Sequence, residues 1–145
     1  MIRRLTSLAM VLGSSAVAGA QEAPSHSLEA EAGRFAEYWG AGDHAGLVSM
    51  MSAGGIRLHV LDEAHVSIST RQAHASIKGF VSRYSGGEAL VTRVFQGGGE
   101  PSDGFAEIRW WTLAAGTTES VTFTIFVGFV LADQGWVVSE IRVLP

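Results

Sequence analysis

Hydrophobic positions along this chain recur with two different periods, and the change from one to the other divides it in half. Leu28, Ala32, Phe35 and Trp39 follow at spacings of four, three and four, one apolar seam along a helix. Ser27 stands where the cap of that helix belongs, and Glu29 and Glu31 fall in its first turn, where the helix dipole favours acids. Gly40 to Gly42 stops it. Asp43 then caps a short second helix carrying Leu47, Val48, Met50 and Met51, which Gly54-Gly55 ends. Ile56 to Leu61 and His65 to Ser69 alternate apolar with polar on either side of Asp62-Glu63-Ala64, the pattern of two short strands joined by a tight connection. Ser69 and Gln72 form a capping box for a third helix, with Ala73, Ile77, Phe80 and Tyr84 on its seam and Ser85-Gly86-Gly87 as its stop.

From Ala89 onward the period is two. Ala89 to Gln96, Phe105 to Ala114, Val121 to Ala132 and Trp136 to Leu144 are rich in Val, Ile, Thr, Phe and Trp and are separated by glycine-containing turns. Four consecutive strands with short connections predict an antiparallel meander. The third of them is apolar on both faces, which predicts a central position, and Gly128 within it suits a bend.

The first twenty residues belong to neither pattern. Met1-Ile-Arg-Arg leads into an apolar run from Leu5 to Val17 and then Ala18-Gly19-Ala20, the build of a secretory signal peptide with an Ala-x-Ala cleavage site. The expected division is therefore a signal peptide over residues 1–20 and one domain over residues 21–145, exported to the periplasm or secreted. Arg3-Arg4 lacks most of the usual surroundings of a folded-export signal, so the unfolded route is expected. The chain has no cysteine, hence no disulfide, no thiolate chemistry and no acylated cysteine to anchor it to a membrane. Loss of Arg3 and Arg4 takes the formal charge from −4 to −6, the wrong sign for a nucleic-acid partner.

Candidate chemistry is sparse. His59-x-x-Asp62-Glu63-x-His65 gathers acid–base groups and metal-ligand atoms within one short stretch, but a solvated hairpin reads the same way, and no metal or other cofactor is expected. Asp62-Glu63-Ala64-His65 spells a helicase box without the phosphate loop such a motif requires, and no Gly-x-Ser-x-Gly elbow is present. Glu107 with Arg109 and Glu140 with Arg142 alternate along their strands and fit a surface or dimer contact better than a buried floor. Trp110-Trp111 sends one indole to each face. His26, His44 and His74 have no partner pattern and read as surface residues.

The element order, together with Phe35-x-x-Tyr38-Trp39-x-Ala41-Gly42-Asp43-x-x-x-Leu47 at the opening and Gly135-Trp136-Val137-Val138-Ser139-Glu140-Ile141-Arg142-Val143 at the close, resembles the nuclear-transport-factor-2-like superfamily. The chain looks most like small exported bacterial members of unassigned function. The resemblance implies an α+β fold, a cone-shaped curved antiparallel sheet of about six strands wrapped around three helices from the N-terminal half. It also implies a pocket in the cone, for which Phe35, Trp39, His59, Trp111, Ile125, Val127 and Phe129 are the lining candidates, and a homodimer through the sheet. Ketosteroid isomerases, polyketide cyclases and scytalone dehydratase work in that pocket. The isomerase's tyrosine falls here at Phe35, its base near His59 and its proton-donating aspartate near Val127, so two of three polar roles are lost. The expected function is thus a pocket protein binding a small apolar ligand or a protein partner. The alternative is an isomerase-, cyclase- or dehydratase-type enzyme with His59 as general base.

Overall fold

A computed structural model describes residues 26–100 and 102–145, so the leader expected over residues 1–20 lies outside the described part. The two periods become helices α1 (Leu28–Ala41), α2 (His44–Met50) and α3 (Thr70–Val81) and strands β1 (Ile56–Val60), β2 (Glu63–Ile68), β3 (Tyr84–Gln96), β4 (Asp103–Ala114), β5 (Ser120–Ala132) and β6 (Gly135–Leu144). Local chemistry starts each helix. Ala30 donates its N–H to Ser27 Oγ at 3.1 Å, Gly46 donates to Asp43 Oδ1 at 2.9 Å, and Ser69 and Gln72 exchange bonds in a reciprocal capping box.

The strands form one curved, unclosed sheet in the order β2-β1-β6-β5-β4-β3. All neighbours are antiparallel except β1 and β6, which run parallel, with Arg57 opposite Glu140 and Val60 opposite Val143. The register shifts between Gly128 and Phe129 on β5, where the expected bend falls. The helices lie in the hollow of the sheet, and the core is built from their seams and the sheet's inner positions: Leu28, Phe35 and Trp39 of α1, Ile77 and Phe80 of α3, Ile108 and Trp110 of β4, Ile141 and Val143 of β6. No helix among the described residues is long and apolar enough to cross a membrane.

Two boundaries differ from the sequence reading. Tyr84 opens β3 instead of closing α3, and Ser85-Gly86-Gly87 sits inside that strand as a bulge. The register with β4 shifts between Ser85 and Glu88, Gly86 and Gly87 take φ of 63° and 112°, and a Cβ on Gly87 would run into the Trp111 carbonyl oxygen. The β1–β2 turn is shorter than expected, Leu61-Asp62 alone, so Glu63 and Ala64 already pair with Val60 and His59. Leu61 holds φ 53° there, the one non-glycine left-handed residue among those described.

Candidate functional site

The inner face of the sheet carries little chemistry. The α1 seam brings Phe35 and Trp39 to it and β5 brings Ile125, Val127 and Phe129, and each is at most 2% exposed. Rings take up the middle of the cone: Phe35 on Trp39 at 5.9 Å between centroids, Trp39 edge-on to Trp110 at 5.7 Å, Trp110 on Phe123 at 5.5 Å, and Tyr84 on Phe123 at 5.0 Å. Thr112 spends its hydroxyl on the Gly86 carbonyl at 2.9 Å. The indole Nε1 atoms of Trp39 and Trp110 are buried without a hydrogen-bond partner, but an indole only donates and cannot take a proton. Phe35 and Val127 thus stand, apolar and buried, where the resemblance puts the isomerase's tyrosine and second aspartate, and the inward residues near the end of β1 are Leu58 and Val60.

His59 and Trp111 do not join that group, which corrects their expected place in the cone. Consecutive strand residues face opposite ways, so with Leu58 and Val60 turned inward, His59 turns outward. It lies opposite Ala64 on β2 and Arg142 on β6, beside a shallow hollow of about 150 Å³ that Arg57, Val66 and Glu140 also line. Trp111, 38% exposed, follows the inward Trp110 onto the same outer surface. His65, opposite Leu58, lines the hollow beside His59 too and also a second one of about 180 Å³ with Asp62, Glu63, Ser76 and Arg83. The hairpin thus spreads the His59-to-His65 cluster over two hollows, with His65 at both, and no group of three ligating side chains assembles among the described residues.

The outer face is mixed. Phe95 of β3 packs on Phe105 of β4 at 5.4 Å, and hollows of about 350 and 300 Å³ open where Gly128 leaves no side chain beside Phe105 and Phe126. Charges surround this apolar centre: Arg93 donates to Glu107 at 3.0 Å, and Glu140 stands 3.8 Å from both Arg57 and Arg142. The alternating Glu–Arg pairs of β4 and β6 are accordingly on the outside.

A cavity of about 790 Å³ lies at the opposite end of β6 from Val60, between the start of α1, the end of α2 and the β5–β6 hairpin. Its lining includes Glu31, 6% exposed, whose Oε1 is approached by Arg34 Nη1 at 2.9 Å and His26 Nδ1 at 2.8 Å. The hydrogen bond to the Tyr38 hydroxyl, with the Glu31 charge adding to it and burial opposing, raises the pKa of the Arg34 guanidinium. Sequence reading placed Glu31 only as a first-turn acid. Its signal was the i, i+3 spacing to Arg34, which any solvated helix face also shows. His44 and His74 also prove to be neighbours, their rings 5.9 Å apart across the α2–α3 contact. Burial, then the charges of His74 and Lys78, push the His44 pKa down against the opposing pull of Asp43.

No family model and no curated protein matches the chain. Solved structures do. A DUF4783 family protein from Bacteroides ovatus superposes with a TM-score of 0.61 at 14% identity, covering 76% of this chain and 90% of its own. An NTF-2-like protein of unknown function from Shewanella oneidensis gives 0.57 at 11%, covering 77% and 90%. The fold is nuclear-transport-factor-2-like. A third cone of this kind, a protein with a ketosteroid isomerase-like fold from Catenulispora acidiphila in complex with trimethylamine, gives 0.60 at 9%, covering 78% and 82%. At these identities the likeness is one of backbone. Within the nuclear-transport-factor-2-like cone, this chain's own side chains decide what the molecule can do.

Proposed function

We propose that the protein is an exported binding protein of the cell envelope that acts through its surfaces and carries out no reaction inside its cone. The observation that carries this reading is the division of side chains between the two faces. The interior holds apolar residues and aromatic rings in mutual contact, while His59, the one candidate base, stands outside beside Arg57 and Arg142. Proton abstraction needs a base within hydrogen-bond reach of a bound substrate, in a site that excludes water, and the outer face of a sheet offers no such enclosure. The partner best matched to that face is a second copy of the chain. Phe95, Phe105 and Phe126 supply an apolar centre, with both charge signs around it, as interfaces between like surfaces require.

The purified protein and its His59→Ala variant, incubated with apolar ring compounds and lactones, are expected to show no turnover. Sedimentation is expected to show a dimer that Phe95→Glu weakens. Turnover that His59→Ala abolishes would replace this reading with the isomerase-type alternative.

A further inference from the structure

We infer that the cavity between α1, α2 and the β5–β6 hairpin is a binding site for a small amphipathic carboxylic acid, its carboxylate on Arg34 and its apolar body on Met50, Leu131 and Trp136. The inference rests on the reading of the chain as a binding protein and adds to it a place and a ligand class.

Size is the first support. At about 790 Å³ the cavity falls within the roughly 300–1,000 Å³ that small-molecule sites occupy, whereas the two hollows flanking the β1–β2 hairpin, at about 150 and 180 Å³, fall short of it.

The second support is a guanidinium held in place with part of its edge unused. Arg34 Nη1 donates to both Glu31 oxygens, at 2.9 and 3.2 Å, and the carboxylate it grips is buried, so the arrangement is costly to break. Nη2 donates a long hydrogen bond to the Tyr38 hydroxyl at 3.5 Å, which a bound carboxylate would replace, and Nε has no partner among the described residues. The Nε–Nη2 edge is the planar fork that receives a carboxylate through two parallel bonds. Glu31 thus orients the guanidinium without occupying that edge, and Arg34 remains about two-fifths exposed on the cavity wall.

The third support is the wall itself. Leu131 is large, apolar and 40% exposed, and Trp136 lies half-buried next to it at the hairpin. Asp133 at the hairpin turn repels a carboxylate and so fixes the ligand's direction, head toward α1 and body toward the strands.

Titration calorimetry of the purified protein with decanoate, 1-decanol and decyltrimethylammonium, each below its aggregation concentration, tests the assignment. One decanoate per chain is expected to bind, more tightly than either of the other two. Arg34→Lys keeps a cation beside Glu31 while removing the fork, and should weaken decanoate about tenfold or more. Leu131→Glu, on the exposed wall and away from the core, should do the same without loss of fold. Equal binding of the three probes, no binding of decanoate, or decanoate affinity untouched by both substitutions would overturn the assignment. The same samples carry an internal distinction. Absent decanoate binding with the dimer intact and no turnover, the cavity assignment alone falls; turnover of ring compounds or lactones lost in His59→Ala would remove the reading beneath it.

Discussion

Strand β5 shows two chemistries back to back. Inward, Phe123, Ile125, Val127 and Phe129 are buried to within a few per cent; outward, Thr122, Thr124, Phe126, Gly128 and Val130 alternate with them and are only half covered or exposed. The inner set is selected by shape and volume, since its members belong to the packed core and are almost wholly withdrawn from water. The outer set mixes hydroxyls, an aromatic ring and a missing side chain, and its neighbours are the charges of β4 and β6. In this molecule the interior therefore explains why the chain folds, and the outer surface and the groove beside α1 hold the groups with which it can meet something else. A family resemblance that directs attention to the cone directs it to the less reactive side.

Four experiments would break or sharpen that contrast. The largest effect belongs inside: Phe129→Ala is expected to cost about 3–5 kcal/mol in denaturant melts, and a loss below about 1 kcal/mol would show that the interior is not packed as described. Next comes Gly87→Ala, expected to cost about 1–3 kcal/mol because φ is 112° and the new methyl meets the Trp111 carbonyl. Gly86→Ala, with open space at its Cβ, should cost less in the same assay. A third experiment reads the pH dependence of His44. Its folded pKa is lowered, so the unfolded chain binds the proton more readily and stability is lost as pH falls through and below the ordinary imidazole value of about 6.5. Thermal melts between about pH 8 and 5 should show a steeper acid-side decline in the native protein than in His44→Gln, and parallel curves would refute the account of a half-buried imidazole held below its ordinary pKa. The smallest effect belongs outside. Arg93→Gln, which breaks the exposed pair with Glu107, should change monomer stability by less than about 1 kcal/mol.

Most of the fold was legible because its signals are local. Ser27, Asp43 and the Ser69–Gln72 box mark helix starts through bonds to residues three positions on, and each of those bonds forms. The four long strands followed from their composition and period of two, and the central place of β5 from its two apolar faces. What escaped depends on partners distant in sequence. Gly86-Gly87 reads as a helix stop until β4 is laid against it, and the parallel pairing of β1 with β6 has no signature in either segment. The site was less legible for the same reason. Offsetting His59 by one position moves it through the sheet, and Glu31 becomes more than a first-turn acid only when the β5–β6 hairpin closes over the start of α1.

The parallel pairing has a kinetic consequence. The β1–β2 hairpin joins the rest of the sheet only through β6, the latest of the six strands in sequence, so Arg57 meets its strand partner Glu140 across more than half the length of the sequence. Contacts of such long sequence separation close late, after the loop entropy between them has been overcome. An emerging chain thus holds an unfinished sheet until β6 is available. On the export proposed above, that order would leave the sheet open while the chain crosses, because the link between the hairpin and the rest of the sheet forms late.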